Sequence, residues 1–251
     1  MPKLRFAAPV EERVALVTGG AKGLGRAAAL RLAEAGRHVA VADVLPEQGA
    51  QTRDEIRALG RRAEYYACDV SDREAVQETV AGATRDLGRI DILINAAGII
   101  GGDIPLLETP YELWERVLGV NLSGTYYMSR AVAPQMAARG WGRIVNFTSG
   151  ARHGKADQIP YCVSKAGVVP LTAAFAQEFT GKGVLVSAIE PGRALTDMVV
   201  TRVPPAVIAR PGNPIGRYAD PEELAEVICF LCSEANTYVS GGIVPVKGGA
   251  P

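Results

Sequence analysis

Tyr161 and Lys165 stand four residues apart in YCVSK. On a helix beginning near position 160, that spacing puts a phenol and an ammonium on one face, about 5 to 6 Å apart. The pair sets a titratable hydroxyl beside a cation, and it is also a common surface arrangement. A second group, TGGAKGLGRAAALRLAEAG over 18 to 36, directly follows a β-branched run. Glycines at such a junction let the backbone turn tightly and approach a pyrophosphate, while the helix behind offers unpaired N–H groups and partial positive charge. Gly23-Leu24-Gly25-Arg26-Ala27-Ala28 fits the GxGxxA dinucleotide fingerprint in the strand-to-helix setting it requires. The next apolar run ends at Asp43, where a carboxylate can accept a hydrogen bond from an adenosine ribose 2′-OH.

The elements that must position these groups alternate. Short β-branched runs are predicted as strands at 14 to 18, 38 to 43, 63 to 68, 91 to 95, 142 to 149, 184 to 190 and 241 to 246, with longer amphipathic segments between them. That alternation predicts repeated βαβ units: a single-domain α/β Rossmann fold with a seven-stranded parallel sheet and helices on both faces. Capping boxes are predicted at Ser71 with Glu74, Thr109-Pro110 with Glu112, and Asp220-Pro221 with Glu223. The proline-rich stretch 199 to 218 reads as a long loop, and residues 1 to 12 as a loosely ordered extension of a domain covering 1 to 251.

Composition narrows the function classes. The 251 residues are 48% hydrophobic, enough for one large α/β domain. Lys plus Arg and Asp plus Glu both total 27, so no basic excess exists to neutralise a nucleic-acid backbone. No continuous apolar run of about 18 residues occurs, which predicts a soluble cytoplasmic protein without a membrane partner. Cys68, Cys162, Cys229 and Cys232 are too few for a disulfide framework and read as buried thiols. The Cys229/Cys232 pair lies in an apolar helical pattern with no second CxxC or histidine pair, so no metal is expected. His38 and His153 are isolated, and neither HExxH nor GxSxG is present.

Taken in order, Thr18-Gly19, Gly23, Leu24 and Gly25, then Asp69-Val70, Asn95-Ala96-Ala97-Gly98, Asn121, Ser149, Tyr161 with Lys165, and Pro191-Gly192-Arg193-Ala194-Leu195-Thr196 resemble the short-chain dehydrogenase/reductase family over nearly the whole chain. The pattern is most similar to the 3-oxoacyl-reductase-like branch. The resemblance implies an oxidoreductase that moves a hydride between a nicotinamide cofactor and a secondary alcohol or ketone. It implies Tyr161 as general acid/base, Lys165 as the cation that lowers the phenol pKa and holds the nicotinamide ribose, and Ser149 as the group orienting the substrate oxygen. Asn121 would position a water linking Lys165 to solvent. A cation about 4 Å from the phenol gives roughly 4 kcal/mol at an effective dielectric near 20, about 3 pKa units before desolvation. The resemblance also implies cofactor contacts from Gly19, Lys22, Gly23, Leu24, Gly25, Asp43, Asp69, Val70, Asn95, Ala97, Gly98, Pro191, Gly192, Ala194 and Thr196.

Two departures from the family pattern stand out: Ala96 where Asn is frequent, and a Ser149 to Tyr161 spacing one residue shorter than is common. Counting back from Tyr161 would select Thr148, whereas RIVNFTS anchors the strand and selects Ser149. Arg152, His153 and Arg193 fall near the expected substrate mouth. Lys22 occupies a position where NADP-dependent relatives place a base toward the 2′-phosphate. Asp43 opposes that phosphate, and Val44 and Leu45 offer no cation, so NAD is expected over NADP. Relatives pair through the tyrosine-bearing helix and the one after it, which implies a homodimer or homotetramer using LTAAFAQEF, 171 to 179. The alternatives are a nicotinamide-binding regulatory or structural subunit without turnover, and a serine hydrolase using Ser149 and His153. The second lacks a nucleophile elbow.

Overall fold

The computed structural model describes residues 12–210 and 212–250, so nearly all of the expected N-terminal extension lies outside the described residues. All seven expected strands form: β1 (Val14–Thr18), β2 (His38–Asp43), β3 (Ala63–Ala67), β4 (Ile92–Asn95), β5 (Gly142–Phe147), β6 (Val184–Pro191) and β7 (Ile243–Val246). They make one sheet in the order β3-β2-β1-β4-β5-β6-β7, every pairing parallel. The helices are α1 (Gly23–Glu34), α2 (Pro46–Ala58), α3 (Arg73–Leu87), α4 (Tyr111–Leu118), α5 (Gly124–Ala138), α6 (Ile159–Phe179), α7 (Asp197–Val200), α8 (Pro205–Ile208) and α9 (Pro221–Leu231).

Successive strand residues point to opposite faces, which divides the apolar side chains between two cores. Ala15, Val17, Ile92 and Ile94 pack with Ala28 and Leu32 of α1, Ile56 of α2 and Ile228 of α9. Val14, Leu16, Leu93 and Val186 pack with Val76 and Val80 of α3, Met128 and Val132 of α5, and Ala176 of α6. Strand order reverses between β1 and β4, so the connections leave their carboxyl ends in opposite directions and open a crevice there.

Several boundaries differ from the sequence expectation. The α3 cap is Asp72, whose carboxylate accepts from the N–H groups of Glu74 and Ala75, because Ser71 instead donates to Asp69. Thr109 caps nothing: its hydroxyl donates to the Pro105 carbonyl. The third box is present, with the Asp220 N–H donating to Glu223 at 2.9 Å. The helix expected from 110 onward is interrupted by a π-helical turn, Gly119–Ser123. The 199 to 218 loop contains the end of α7 and all of α8. LTAAFAQEF continues the tyrosine-bearing helix instead of forming the next one. That helix is long and apolar enough to cross a membrane by composition, yet Val168, Thr172 and Ala176 are buried inside the fold. Cys68, Cys162 and Cys232 are buried free thiols, and Cys229 is half-buried.

Candidate active site

A cleft of about 610 Å³ follows the carboxyl ends of the strands. Its floor begins at the glycine turn. Gly19 adopts φ +65°, and a Cβ there would stand 2.7 Å from the Ala97 nitrogen. A Cβ on Gly25 would stand 2.1 Å from the Gly19 carbonyl, so only glycine lets the turn and the first turn of α1 close together. The amino end of α1 has no side-chain cap and no acidic residue in its first turn. Its N–H groups are therefore free to meet an anion, and this uncapped glycine cradle fits a dinucleotide pyrophosphate.

At the adenosine end, Asp43 Oδ2 accepts from the Ala21 N–H at 3.0 Å and Oδ1 from the Leu45 N–H at 3.1 Å. The carboxylate is thus locked at the rim beside Val44 and Leu45. Lys22 lies 3.8 Å from Asp197 at the start of α7. Asp69 accepts from Ser71 and, at 2.7 Å, from Arg116. Against the cost of burial, those bonds hold its carboxyl below the usual range. Arg116 was not singled out in the sequence, where nothing connects it with a residue so distant.

Gly19, Lys22, Gly23, Leu24, Gly25, Asp43, Asp69, Val70, Ala97, Gly98, Ser149, Tyr161, Lys165, Pro191, Gly192, Ala194 and Thr196 all border this one cleft. Asn95 does not. It ends β4 with its side chain in the core, where Nδ2 donates to Asn146 Oδ1 at 2.8 Å and Ser129 Oγ at 3.0 Å. Strand alternation therefore turns the Asn95 side chain away from the cleft.

At the other end of the cleft, Ser149 follows β5, its Oγ accepting from the Ala151 N–H at 3.2 Å, and it lines the cleft together with Tyr161 in the first turn of α6. Thr148 instead donates to the Lys165 carbonyl at 2.8 Å and is 2% exposed. Both residues line the cleft, but the Thr148 hydroxyl is committed to that carbonyl, which leaves the Ser149 O–H as the donor available there. Lys165 Nζ donates to the Phe147 carbonyl at 2.9 Å and lies 5.9 Å from the centre of the Tyr161 ring. Burial lowers the Lys165 ammonium to about 8. Burial also pushes the Tyr161 phenol up, only partly offset by Ser149. The expected lowering of the phenol is therefore corrected, because desolvation penalises phenolate and ammonium alike.

Asn121 is fully buried in the π-helical turn. Its Oδ1 accepts from the Ile99 N–H at 2.8 Å, and its Nδ2 donates to the Ile99 carbonyl at 2.9 Å and to Ser164 Oγ at 3.0 Å. With both amide hydrogens committed, its side chain clamps the loop after β4 to α6 and has no donor left for a water. A Cβ on Gly98 would sit 3.2 Å from Asn121 Oδ1 and 3.4 Å from Lys165 Nζ, so this glycine makes room for both.

Ile99, Ile100, Gln158, Met198 and Val199 also line the wall; Gln158 and Val199 fall in the segments 150 to 160 and 199 to 218 expected to shape the substrate site, and none was named individually from the sequence. Arg152 is directed onto buried Glu190 at 2.6 Å, His153 is exposed, and the Arg193 guanidinium stands 5.9 Å from the Tyr218 ring. Residues bearing a hydroxyl, a phenol and an ammonium thus converge with a phosphate cradle along one cleft. That arrangement can hold a dinucleotide and exchange a proton with an oxygen beside it.

Comparison with known proteins agrees. A family model described as short chain dehydrogenase matches residues 13–205. The chain is 34% identical over 244 residues to a 3-oxoacyl-(acyl-carrier-protein) reductase of Thermotoga maritima, covering 96% of this chain and 98% of that protein. It is 36% identical over 247 residues to a 2-dehydro-3-deoxy-L-rhamnonate dehydrogenase (NAD(+)) of a Sphingomonas species, covering 97% of each. Among solved structures, an NAD+-bound xylitol dehydrogenase superposes with a TM-score of 0.91 at 33% identity, covering 96% of this chain and all of that one.

Proposed function

The chain belongs to the short-chain dehydrogenase family, and from that premise we propose that residues 1–251 form one catalytic domain that prefers NAD over NADP and uses Tyr161 as its general acid/base. The broader activity is that of an oxidoreductase acting on secondary alcohols or ketones with a nicotinamide cofactor. The observation that carries the reading is the meeting of Ser149, Tyr161 and Lys165 with the glycine cradle in a single cleft. The bound cofactor supplies or accepts the hydride.

Gly19, Gly23, Leu24 and Gly25 hold the pyrophosphate through main-chain N–H groups. Asp69 and Val70 would border the adenine, while Ala97, Gly98, Lys165, Pro191, Gly192, Ala194 and Thr196 would surround the nicotinamide half. Ser149 orients the substrate oxygen, and Tyr161 gives it a proton in reduction or removes one in oxidation. Asn121 acts as a positioning residue that fixes the Ile99 loop against α6.

Cofactor preference rests on Asp43, which can accept from a free 2′-OH but opposes a 2′-phosphate. At about 4 Å in water a unit pair costs roughly 1 kcal/mol, and a nearly dianionic phosphate about twice that. Lys22, the counter-argument in the sequence, faces Asp197. Relatives described as an NAD(+) dehydrogenase and as NAD+-bound favour the same cofactor.

A cytoplasmic setting suits the four free thiols. Assembly as a dimer or tetramer is supported by exposed Tyr111, Trp114, Tyr126 and Val163 on α4, α5 and α6. A sedimentation profile showing only a 26.5 kDa monomer would overturn that assembly. Incubation with NAD+ and a panel of secondary alcohols tests the activity by the absorbance of reduced cofactor. Cofactor binding without turnover across the panel would favour a nicotinamide-binding subunit instead.

A further inference from the structure

Ser149 belongs to two cavities. The main cleft and a second one of about 250 Å³ share Ser149, Ala151, Pro191 and Gly192, so an oxygen held by Ser149 lies at their junction. Arg193, Asn213 and Lys247 also line the second cavity.

Its charge is unbalanced. Glu190, 1% exposed at the end of β6, is met by Arg152 Nε at 2.6 Å and by Lys247 Nζ at 2.6 Å. One cation is enough to compensate a buried carboxylate, and this one has two. Arg193 adds a third positive group, exposed beside the Tyr218 ring and without an ion-pair partner among the described residues. Two cations on one carboxylate, with Arg193 lining the same cavity as Lys247, leave a surplus of positive charge at a partly enclosed wall, where fields are screened less than in bulk water. Asn213 Oδ1 is buried there without a hydrogen-bond partner, while Nδ2 donates to the Arg217 carbonyl at 2.8 Å.

We propose that this second cavity is a subsite for a carboxylate on the substrate, so that the enzyme acts on secondary hydroxy acids and the corresponding oxo acids. The proposal rests on the oxidoreductase reading of the main cleft. The reacting oxygen sits on Ser149, and the carboxylate meets the guanidinium fork of Arg193 and the ammonium of Lys247, a geometry that suits planar oxyanions. Asn213 Oδ1 is available to accept from a neighbouring hydroxyl. The other end of the substrate faces Ile99, Ile100, Met198 and Val199. A cavity of this size holds a carboxylate with a short chain, which also predicts little selectivity among the first few chain lengths.

The test is calorimetric titration of the full-length protein saturated with NAD+, which has no hydride to give a ketone, using 3-oxobutanoate, 4-oxopentanoate and 5-oxohexanoate and the neutral amide of each. The expected result is at least tenfold tighter binding of the acid for one or more lengths. In Arg193→Gln the acid-to-amide ratio should fall close to one while amide binding is unchanged. Lys182→Gln, at an exposed cation near the end of α6, should keep the wild-type ratio. Equal binding of acid and amide at every length, no binding of any probe, or a preference that survives Arg193→Gln overturns the subsite. Turnover of neutral secondary alcohols in the same preparations separates the two failures. Turnover without acid preference removes the subsite and leaves the oxidoreductase, whereas selective acid binding without turnover removes the oxidoreductase reading.

Discussion

The ammonium of Lys165 donates to the main-chain carbonyl of Phe147 at 2.9 Å and lies 5.9 Å from the centre of the Tyr161 ring. Burial holds its pKa at about 8 against an ordinary value of 10.5. Between those values the unfolded chain binds the proton that the folded one has lost, so stability rises with pH. Below pH 8 the buried charge carries its full cost, of order 3 kcal/mol. Denaturant unfolding of the cofactor-free protein should therefore show a gain from pH 8 to 10.5 that is absent in Lys165→Met. A flat wild-type profile would refute the buried ammonium.

Tyr161→Phe should lower kcat by about 10² or more while cofactor affinity stays within a few-fold, because only the proton-carrying oxygen is removed. Burial raises the phenol pKa, so alcohol oxidation in the wild type should speed up as pH increases. Stopped-flow kinetics and NADH fluorescence titration check both parts, and retention of more than about a tenth of kcat would remove Tyr161 from the chemistry.

Ser149→Ala and Thr148→Ala should separate cleanly. Loss of a donor at a reacting oxygen typically costs about 10² to 10³ in kcat. The Thr148 hydroxyl is committed to the Lys165 carbonyl, so its loss should cost about 1 kcal/mol of stability with kcat nearly intact. Steady-state rates alongside thermal melts decide, and the reverse pattern would reassign the substrate contact to Thr148.

Asp43→Ala should raise kcat/KM with NADP relative to NAD by about tenfold or more, through loss of the carboxylate that opposes a 2′-phosphate. It also releases the Ala21 N–H, so affinity for NAD should fall as well. Lys22→Ala should change the ratio little, since Lys22 already faces Asp197. Kinetics with both cofactors test this, and unchanged discrimination in Asp43→Ala would shift control to Lys22.

Much of this protein was legible in one dimension. Seven apolar runs between amphipathic segments produced seven strands, because strand and helix periodicities are local properties of side-chain order. The glycines of the first turn and the i, i+4 spacing of Tyr161 and Lys165 likewise carry their geometry within a few residues. Tertiary structure decided whatever depends on a partner far along the chain. It turned Asn95 into the core and closed the Asn121 amide on Ile99 and Ser164. It drew Lys22 to Asp197 and placed Glu190 between Arg152 and Lys247. Desolvation is the deepest of these differences: the sequence supplies a cation for Tyr161, and only folding shows that burial weakens the charge on both groups.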